Sequence, residues 1–190
     1  VLAADRPIYG RRYRVNKGLI VLDVQHGLTS QRDVSAPIAK IQSVIAIFEK
    51  MNWPIVFTKH LDQDNEDSSL YYAKSANLEI VVDTGEHPIL EKSKPSAFSN
   101  TELKKWLLDH QIEHVFIVGF NMKYCCLFTA INAEHEGFKV TLIEDAAGTV
   151  NTAETYEMKG LDIQDFIGSI LNWSGCIDVL YMNEFKEQYT

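Results

Sequence analysis

The chain has little that would tie it to nucleic acid, to a membrane or to an oxidising compartment. Basic residues are the minority charge: 18 Lys and Arg stand against 26 Asp and Glu, a net charge of −8. A nucleic-acid surface needs clustered cations, so no nucleic-acid partner is expected. The one basic cluster (Arg11, Arg12, Arg14, Lys17) precedes the first apolar run and reads as a solvated N-terminal arm. No apolar run approaches the roughly 18–20 residues of a membrane span, so no membrane partner is expected. The first residues, Val-Leu-Ala-Ala-Asp-Arg-Pro, lack a basic start followed by a long apolar segment, and no signal peptide is expected in them. Cysteine is scarce and odd in number, at 3. Cys125 and Cys126 are adjacent and poorly placed to bond each other, and Cys176 lies in a separate segment. Reduced thiols and a cytoplasmic setting follow. No Cys-x-x-Cys pair is present, which argues against a structural zinc site. A Gly-x-Gly-x-x-Gly turn is also missing where a dinucleotide-binding fold would carry it; Asp23–Leu28 reads Asp-Val-Gln-His-Gly-Leu.

Apolar residues make up 46% of the 190 residues and charged residues 23%, which suits one globular domain spanning 1–190. Gly18–Val24 is a continuous apolar run broken by Asp23, the pattern of a parallel strand covered on both faces. Ile38, Ile41, Val44, Ile45 and Phe48 recur at helical spacing over Ser35–Met51. Further strands are expected at Pro54–Thr58, Ile89–Leu90, Val115–Val118, Phe138–Ile143 and Ile177–Tyr181. Helices are expected over Thr101–His110 (Thr101 as N-cap), Tyr124–Glu136 (closed by Gly137) and Asp162–Trp173. Leu61–Ser69 reads as an acidic loop, and Tyr71–Val82 fits neither period. Strands alternating with helices predict an α/β fold: a three-layer, doubly wound, Rossmann-like, mainly parallel sheet with helices on both faces.

In such sheets ligands bind beyond the carboxyl ends of the strands. Asp23 closes the first strand, Lys92 follows the short Ile89–Leu90 strand, and Cys125 follows the strand ending at Val118. An acid, an amine and a thiol at one edge make a nucleophilic site. Asp23 can take the thiol proton and return it to a leaving group. Lys92 is its charged partner and favours the thiolate. A helix N-terminus at Cys125 is expected to lower the thiol pKa. Backbone N–H groups of the turn are expected to bind a developing oxyanion.

Three motifs carry a family resemblance. Gly-Phe-Asn-Met-Lys-Tyr-Cys-Cys-Leu-Phe-Thr-Ala (Gly119–Ala130) is similar to Gly-Val-x-Thr-x-x-Cys-Val-x-x-Thr-Ala. Leu-Ile-Val-Leu-Asp-Val-Gln (Leu19–Gln25) is similar to an Asp-x-Gln strand. Lys-Ser-Lys-Pro-Ser-Ala-Phe-Ser-Asn-Thr-Glu-Leu (Lys92–Leu103) is similar to Lys-x-x-x-Ser-Ala-Phe-x-x-Thr-x-Leu. Glu144-Asp145-Ala146 is similar to the Asp-Ala that follows the next strand. In order and spacing the chain resembles the isochorismatase-like cysteine hydrolases over nearly its whole length.

The resemblance implies Cys125 as nucleophile, Asp23 as general acid/base and Lys92 as its partner. It implies a non-proline cis peptide at Phe120–Asn121 that turns a backbone N–H toward the oxyanion. Gln25, Phe98 and Tyr124 are assigned to substrate binding, Thr129 to helix packing and Lys94 to support. Cys126 is read as a core thiol and Cys176, at the start of the last strand region, as structural. Met122 and Phe120 depart from the family pattern and are expected to shape the pocket floor. Nicotinamidases of the superfamily carry an Asp-x-His-x-x-x-x-x-His-like metal set after the second strand. Here the segment reads Lys-His-Leu-Asp-Gln-Asp (Lys59–Asp64), so no metal and no other cofactor are expected, and His60 reads as a pocket or loop residue. The pocket is expected to form from Gln25–Gln31, His60–Tyr72 and Gly148–Tyr156. The implied function is thiol-dependent hydrolysis of an amide-type C–N bond in a small molecule through a thioester. The alternatives are vinyl ether hydrolysis led by Asp23 and, further off, a catalytically silent interaction protein. A homo-oligomer, dimer or tetramer, is also implied.

Overall fold

The computed structural model describes residues 15–62, 71 and 76–190. The arm residues Arg11, Arg12 and Arg14, and most of the loops expected at Leu61–Ser69 and His60–Tyr72, lie outside the described residues. Among the described residues the sheet has six strands: β1 (Lys17–Leu22), β2 (Ile55–His60), β3 (Ile89–Lys92), β4 (His114–Phe120), β5 (Lys139–Gly148) and β6 (Asp178–Leu180). Their order is β3-β2-β1-β4-β5-β6, and every pair is parallel. This is a doubly wound α/β sheet, and its strand order reverses between β1 and β4.

The alternation of side chains along β1 builds both layers of core. Leu19 and Val21 face one side, with Val44 and Phe48 of α2 (Ser35–Lys50) and Phe185 of α6 (Met182–Tyr189). Ile20 and Leu22 face the other, with Leu103 and Leu107 of α3 (Thr101–Asp109), Ala130 and Ala133 of α4 (Leu127–His135) and Leu171 of α5 (Ile163–Trp173). Phe48, Phe116 and Phe185 lie within ring-contact distance of one another, with centroids 5.5–6.1 Å apart. Each such ring contributes about 1.5–3 kcal/mol by leaving water.

Several boundaries differ from the sequence reading. The N-cap of α3 is Asn100, whose side chain accepts from the Glu102 N–H at 2.8 Å; Thr101 is already helical. A short helix, α1 (His26–Thr29), follows β1, and β5 runs five residues beyond the expected Ile143. Helix α6 was not anticipated, although Met182, Phe185 and Tyr189 present helical spacing toward the core. No helix among the described residues is long and apolar enough to cross a membrane.

One glycine fixes the approach of β4 to β1. Gly119 has φ +120°, and a Cβ there would fall on the Leu22 backbone carbonyl. Only glycine fits, so β4 comes close to β1 at the edge where the site is built.

Candidate active site

Asp23, Lys92 and Cys125 come from separate elements and meet at the carboxyl edge, at the point where the strand order reverses. Asp23 leaves the end of β1 with φ +47°, a left-handed conformation that aspartate tolerates better than most residues. Its carboxylate is fully buried. Oδ1 accepts from the Thr58 hydroxyl of β2 at 2.7 Å, and Oδ2 lies 2.7 Å from Lys92 Nζ. Both side chains of that ion pair are essentially inaccessible, so each charge depends on the other.

Lys92 is the hub. Besides Asp23, its Nζ reaches His60 Nδ1 at 3.0 Å, the Lys94 carbonyl at 3.1 Å and Cys125 Sγ at 3.5 Å. Lys94 therefore takes part through its backbone oxygen. Cys125 lies in a π-helical turn, Met122–Cys126, that follows β4 and leads into α4. Within it the Cys126 N–H donates to the Asn121 carbonyl five residues back, at 3.2 Å. The Phe120–Asn121 peptide that precedes the turn is cis.

The thiol environment differs from the expectation of a lowered pKa. Burial, together with the Asp23 carboxylate, pushes the Cys125 thiol up to about 12, and Lys92 opposes this only in part. Burial and Asp23 favour the protonated thiol, and Lys92 favours the thiolate. Cys126 is completely buried in the core, as expected of it. Cys176, read as structural, is exposed, with its thiol beside the Ser174 carbonyl.

The side chains assigned to substrate binding divide. Gln25 is fully buried and already engaged: its Nε2 donates to the His60 carbonyl at 3.0 Å, and its Oε1 accepts from the His60 N–H at 2.8 Å. It is a clamp between the ends of β1 and β2. Phe98 packs toward Phe138 on the α4 side of the core, ring centroids 6.2 Å apart. Tyr124 is the exposed member, and its hydroxyl meets that of Tyr156 at 2.8 Å. Phe120 and Met122, expected at a pocket floor, are fully buried in opposite core layers. The Phe120 ring fills the space beside Gly148. Thr129 is buried and accepts from the Ala97 N–H at 3.0 Å, which fastens α4 to the segment after Lys92. Asp145 pairs with Lys40 at 2.6 Å and accepts from the Met182 N–H at the start of α6.

Two further polar residues stand at the site: Lys123, which the sequence reading does not single out, and His60, which it reads as a pocket or loop residue. Lys123 is buried beside the nucleophile turn, and its Nζ donates to Asn121 Oδ1, Thr149 Oγ1 and Asn151 Oδ1 at 3.0, 3.1 and 2.6 Å. Burial pulls its pKa down to about 8. It ties the turn to the loop after β5. His60 faces inward, stacked on Tyr71 with centroids 4.1 Å apart and with Nδ1 4.0 Å from Cys125 Sγ. Asp23, His60 and Cys125 offer donor atoms within 4.8 Å of one another, a set that could in principle surround a metal. Lys92 stands among them, however, and an ammonium in contact with all three opposes a divalent ion. The donor set does not fit a metal.

The isochorismatase domain family model matches residues 17–166. The chain is 27% identical to nicotinamidase 3 of Arabidopsis thaliana, over 70% of this chain and 73% of that protein. It is 31% identical to the nicotinamidase of Escherichia coli, over 52% of this chain and 47% of that protein. The crystal structure of an isochorismatase-like hydrolase from Alkaliphilus metalliredigens superposes with a TM-score of 0.77 at 16% identity, covering 92% of this chain and 99% of that one. That likeness concerns the fold.

Proposed function

This chain belongs to the isochorismatase family of hydrolases, and from that premise we propose that it cleaves an amide-type C–N bond of a small molecule through Cys125. The observation that carries the proposal is the convergence of three unlike groups in one buried spot: Lys92 Nζ lies 2.7 Å from Asp23 and 3.5 Å from Cys125 Sγ. The nicotinamidases of Arabidopsis thaliana and Escherichia coli among its relatives favour an amide over an ether.

The chemistry runs as two acyl transfers. Cys125 Sγ attacks the carbonyl carbon while its proton passes to Asp23. Backbone N–H groups of the Phe120–Cys125 turn stabilise the oxyanion, where each donor is worth about 2.7–4 kcal/mol. Asp23 then protonates the departing amine, leaving a thioester on Cys125. Water, deprotonated by Asp23, cleaves the thioester, and the proton returns to the thiol. Lys92 offsets the negative charge of the buried site throughout. A thiol that is protonated at rest suits this cycle, because the proton taken from sulfur is the one the leaving amine needs.

A panel of small primary amides, ureido acids and vinyl ethers tests the reading. Ammonia release by the wild type and its loss in Cys125→Ala are expected. Vinyl ether turnover retained in Cys125→Ala and lost in Asp23→Asn would replace it with the ether reaction.

The outward face of α4 and α5 supports assembly as a homo-oligomer. Phe128, Ile131, Phe166 and Ile170 are each 41–48% exposed and Trp173 is 89% exposed, an apolar surface that a second copy would cover. Light scattering should return a multiple of the 21.6 kDa chain mass. The free thiols at Cys125, Cys126 and Cys176 support a reducing, cytoplasmic setting.

A further inference from the structure

Lys123 is a buried cation that the reaction scheme leaves unused. It stands in the Met122–Cys126 turn, just ahead of the nucleophile. Its Nζ donates to three neutral acceptors: Asn121 Oδ1 at 3.0 Å, Thr149 Oγ1 at 3.1 Å and Asn151 Oδ1 at 2.6 Å. The first precedes the turn, and the other two belong to the loop after β5. An ammonium carries three hydrogens on one atom, where a glutamine amide carries two. Lysine is therefore suited to join three acceptors at a single point, which accounts for a cation kept where burial opposes its charge. Tyr124 and Tyr156 complete the junction. Their ring centroids lie 4.9 and 5.8 Å from Nζ, and their hydroxyls meet at 2.8 Å.

We propose that Lys123 is a positioning residue that acts through Asn121: by tethering the Asn121 side chain to the loop after β5, it holds the Asn121 backbone N–H against the Cys125 sulfur. The inference rests on the reading of Cys125 as the nucleophile. The Asn121 N–H reaches that sulfur, where a donor favours the thiolate. The Asn121 carbonyl accepts from the Tyr124 and Cys126 N–H groups at 2.9 and 3.2 Å, so its backbone is engaged on both sides within the turn. The side-chain tether carries that placement out of the turn to the end of β5.

The titratable groups facing the ammonium are Cys125, Tyr124 and Tyr156. Burial pulls Lys123 down to about 8, and Cys125 acts in the opposite sense. A neutral amine has two hydrogens for the three acceptors. The tether is therefore complete below about pH 8 and loses one of its bonds above it.

Peptide-resolved labelling of Cys125 with iodoacetamide at pH 8 tests this without any substrate. Lys123→Met keeps an apolar stem and removes all three donors. Labelling of Cys125 should slow by about fivefold, because the sulfur loses a well-placed N–H. Asn121→Ala, which removes the tethered side chain, should slow it comparably. The double variant should stay within about twofold of the slower single variant, because both changes cut one path. Labelling of Lys123→Met at or above the wild-type rate overturns the proposal. A double variant slower by a further fivefold also overturns it, since Lys123 would then act on the sulfur directly through its charge. Should Lys123→Met fail to fold, the Asn121 amide resonance of the wild-type protein decides. An inflection near pH 8 supports the proposal, and a flat response from about pH 6.5 to 9.5 overturns it. Neither readout involves turnover, so failure of the hydrolase reading would show separately, as amide turnover surviving in Cys125→Ala.

Discussion

Replacing Asp23 with asparagine should make Cys125 more acidic and the enzyme far slower, two effects with opposite signs from one atom change. The carboxylate lies within 4.8 Å of the sulfur. At an effective dielectric constant of about 20, two negative charges at that distance repel by about 3.5 kcal/mol, or about 2.5 pH units. Part of that is screened, so the labelling midpoint of Cys125 should move down by about two pH units from the high value that burial and Asp23 impose. Asparagine keeps an acceptor for the Thr58 hydroxyl but leaves the Lys92 ammonium without its counter-charge in a dry site. Loss of one partner from such a pair costs about 3–5 kcal/mol, which should appear as a lowered unfolding midpoint. Turnover should fall by about 10²–10⁴, because the proton carrier between thiol and leaving amine is gone. The assay pairs amide turnover with peptide-resolved iodoacetamide labelling, which separates Cys125 from the exposed Cys176. Labelling that shifts to higher pH, or turnover within tenfold of wild type, would refute the reasoning.

Gly148→Ala would drive a methyl group into the buried Phe120 ring at the head of the nucleophile turn. Overpacking of about 1–3 kcal/mol is expected, seen as a fall in Tm of several degrees together with a reduced kcat. His114 is buried against the Thr141 hydroxyl at 2.7 Å, and burial holds its pKa down at about 4 against an ordinary 6.5. The unfolded chain therefore takes up this proton first as pH falls. His114 contributes stability above pH 6.5 that is lost as pH drops toward about 4, by no more than about 3 kcal/mol. Urea titrations of wild type and His114→Gln should diverge in slope over that window; parallel curves would remove His114 from the acid sensitivity.

The fold was legible because its strands are apolar runs that resist any other reading. Gly18–Val24 and Val115–Val118 supply side chains to both core layers, and a parallel sheet is the architecture that covers both faces. The positions of Asp23, Lys92 and Cys125 were legible for the same reason: each lies at or beyond the carboxyl end of a strand, and parallel strands bring those ends to one edge. What sequence could not give was how each polar side chain spends its hydrogen bonds. Gln25 looks like a ligand contact until its amide is seen to grip the backbone of His60, 35 positions away. His60 reads from sequence as a pocket or loop residue, and its contact with Lys92, 32 positions on, is visible only in the fold. The thiol pKa was misjudged because a helix N-terminus is visible in sequence, whereas the burial that outweighs it is a tertiary property. Helix α6 has only Met182 and Phe185 buried in a polar stretch, and that sparse pattern hid it.

The central claim is that the sulfur of Cys125 becomes covalently acylated during hydrolysis. Intact-protein and peptide mass spectrometry after rapid acid quench of enzyme turning over an active amide tests it directly. The account predicts a mass increase equal to the acyl group, located on Cys125, cleared by hydroxylamine and absent in Cys125→Ala along with turnover. Turnover preserved in Cys125→Ala, or an acyl group found on another residue, would contradict it.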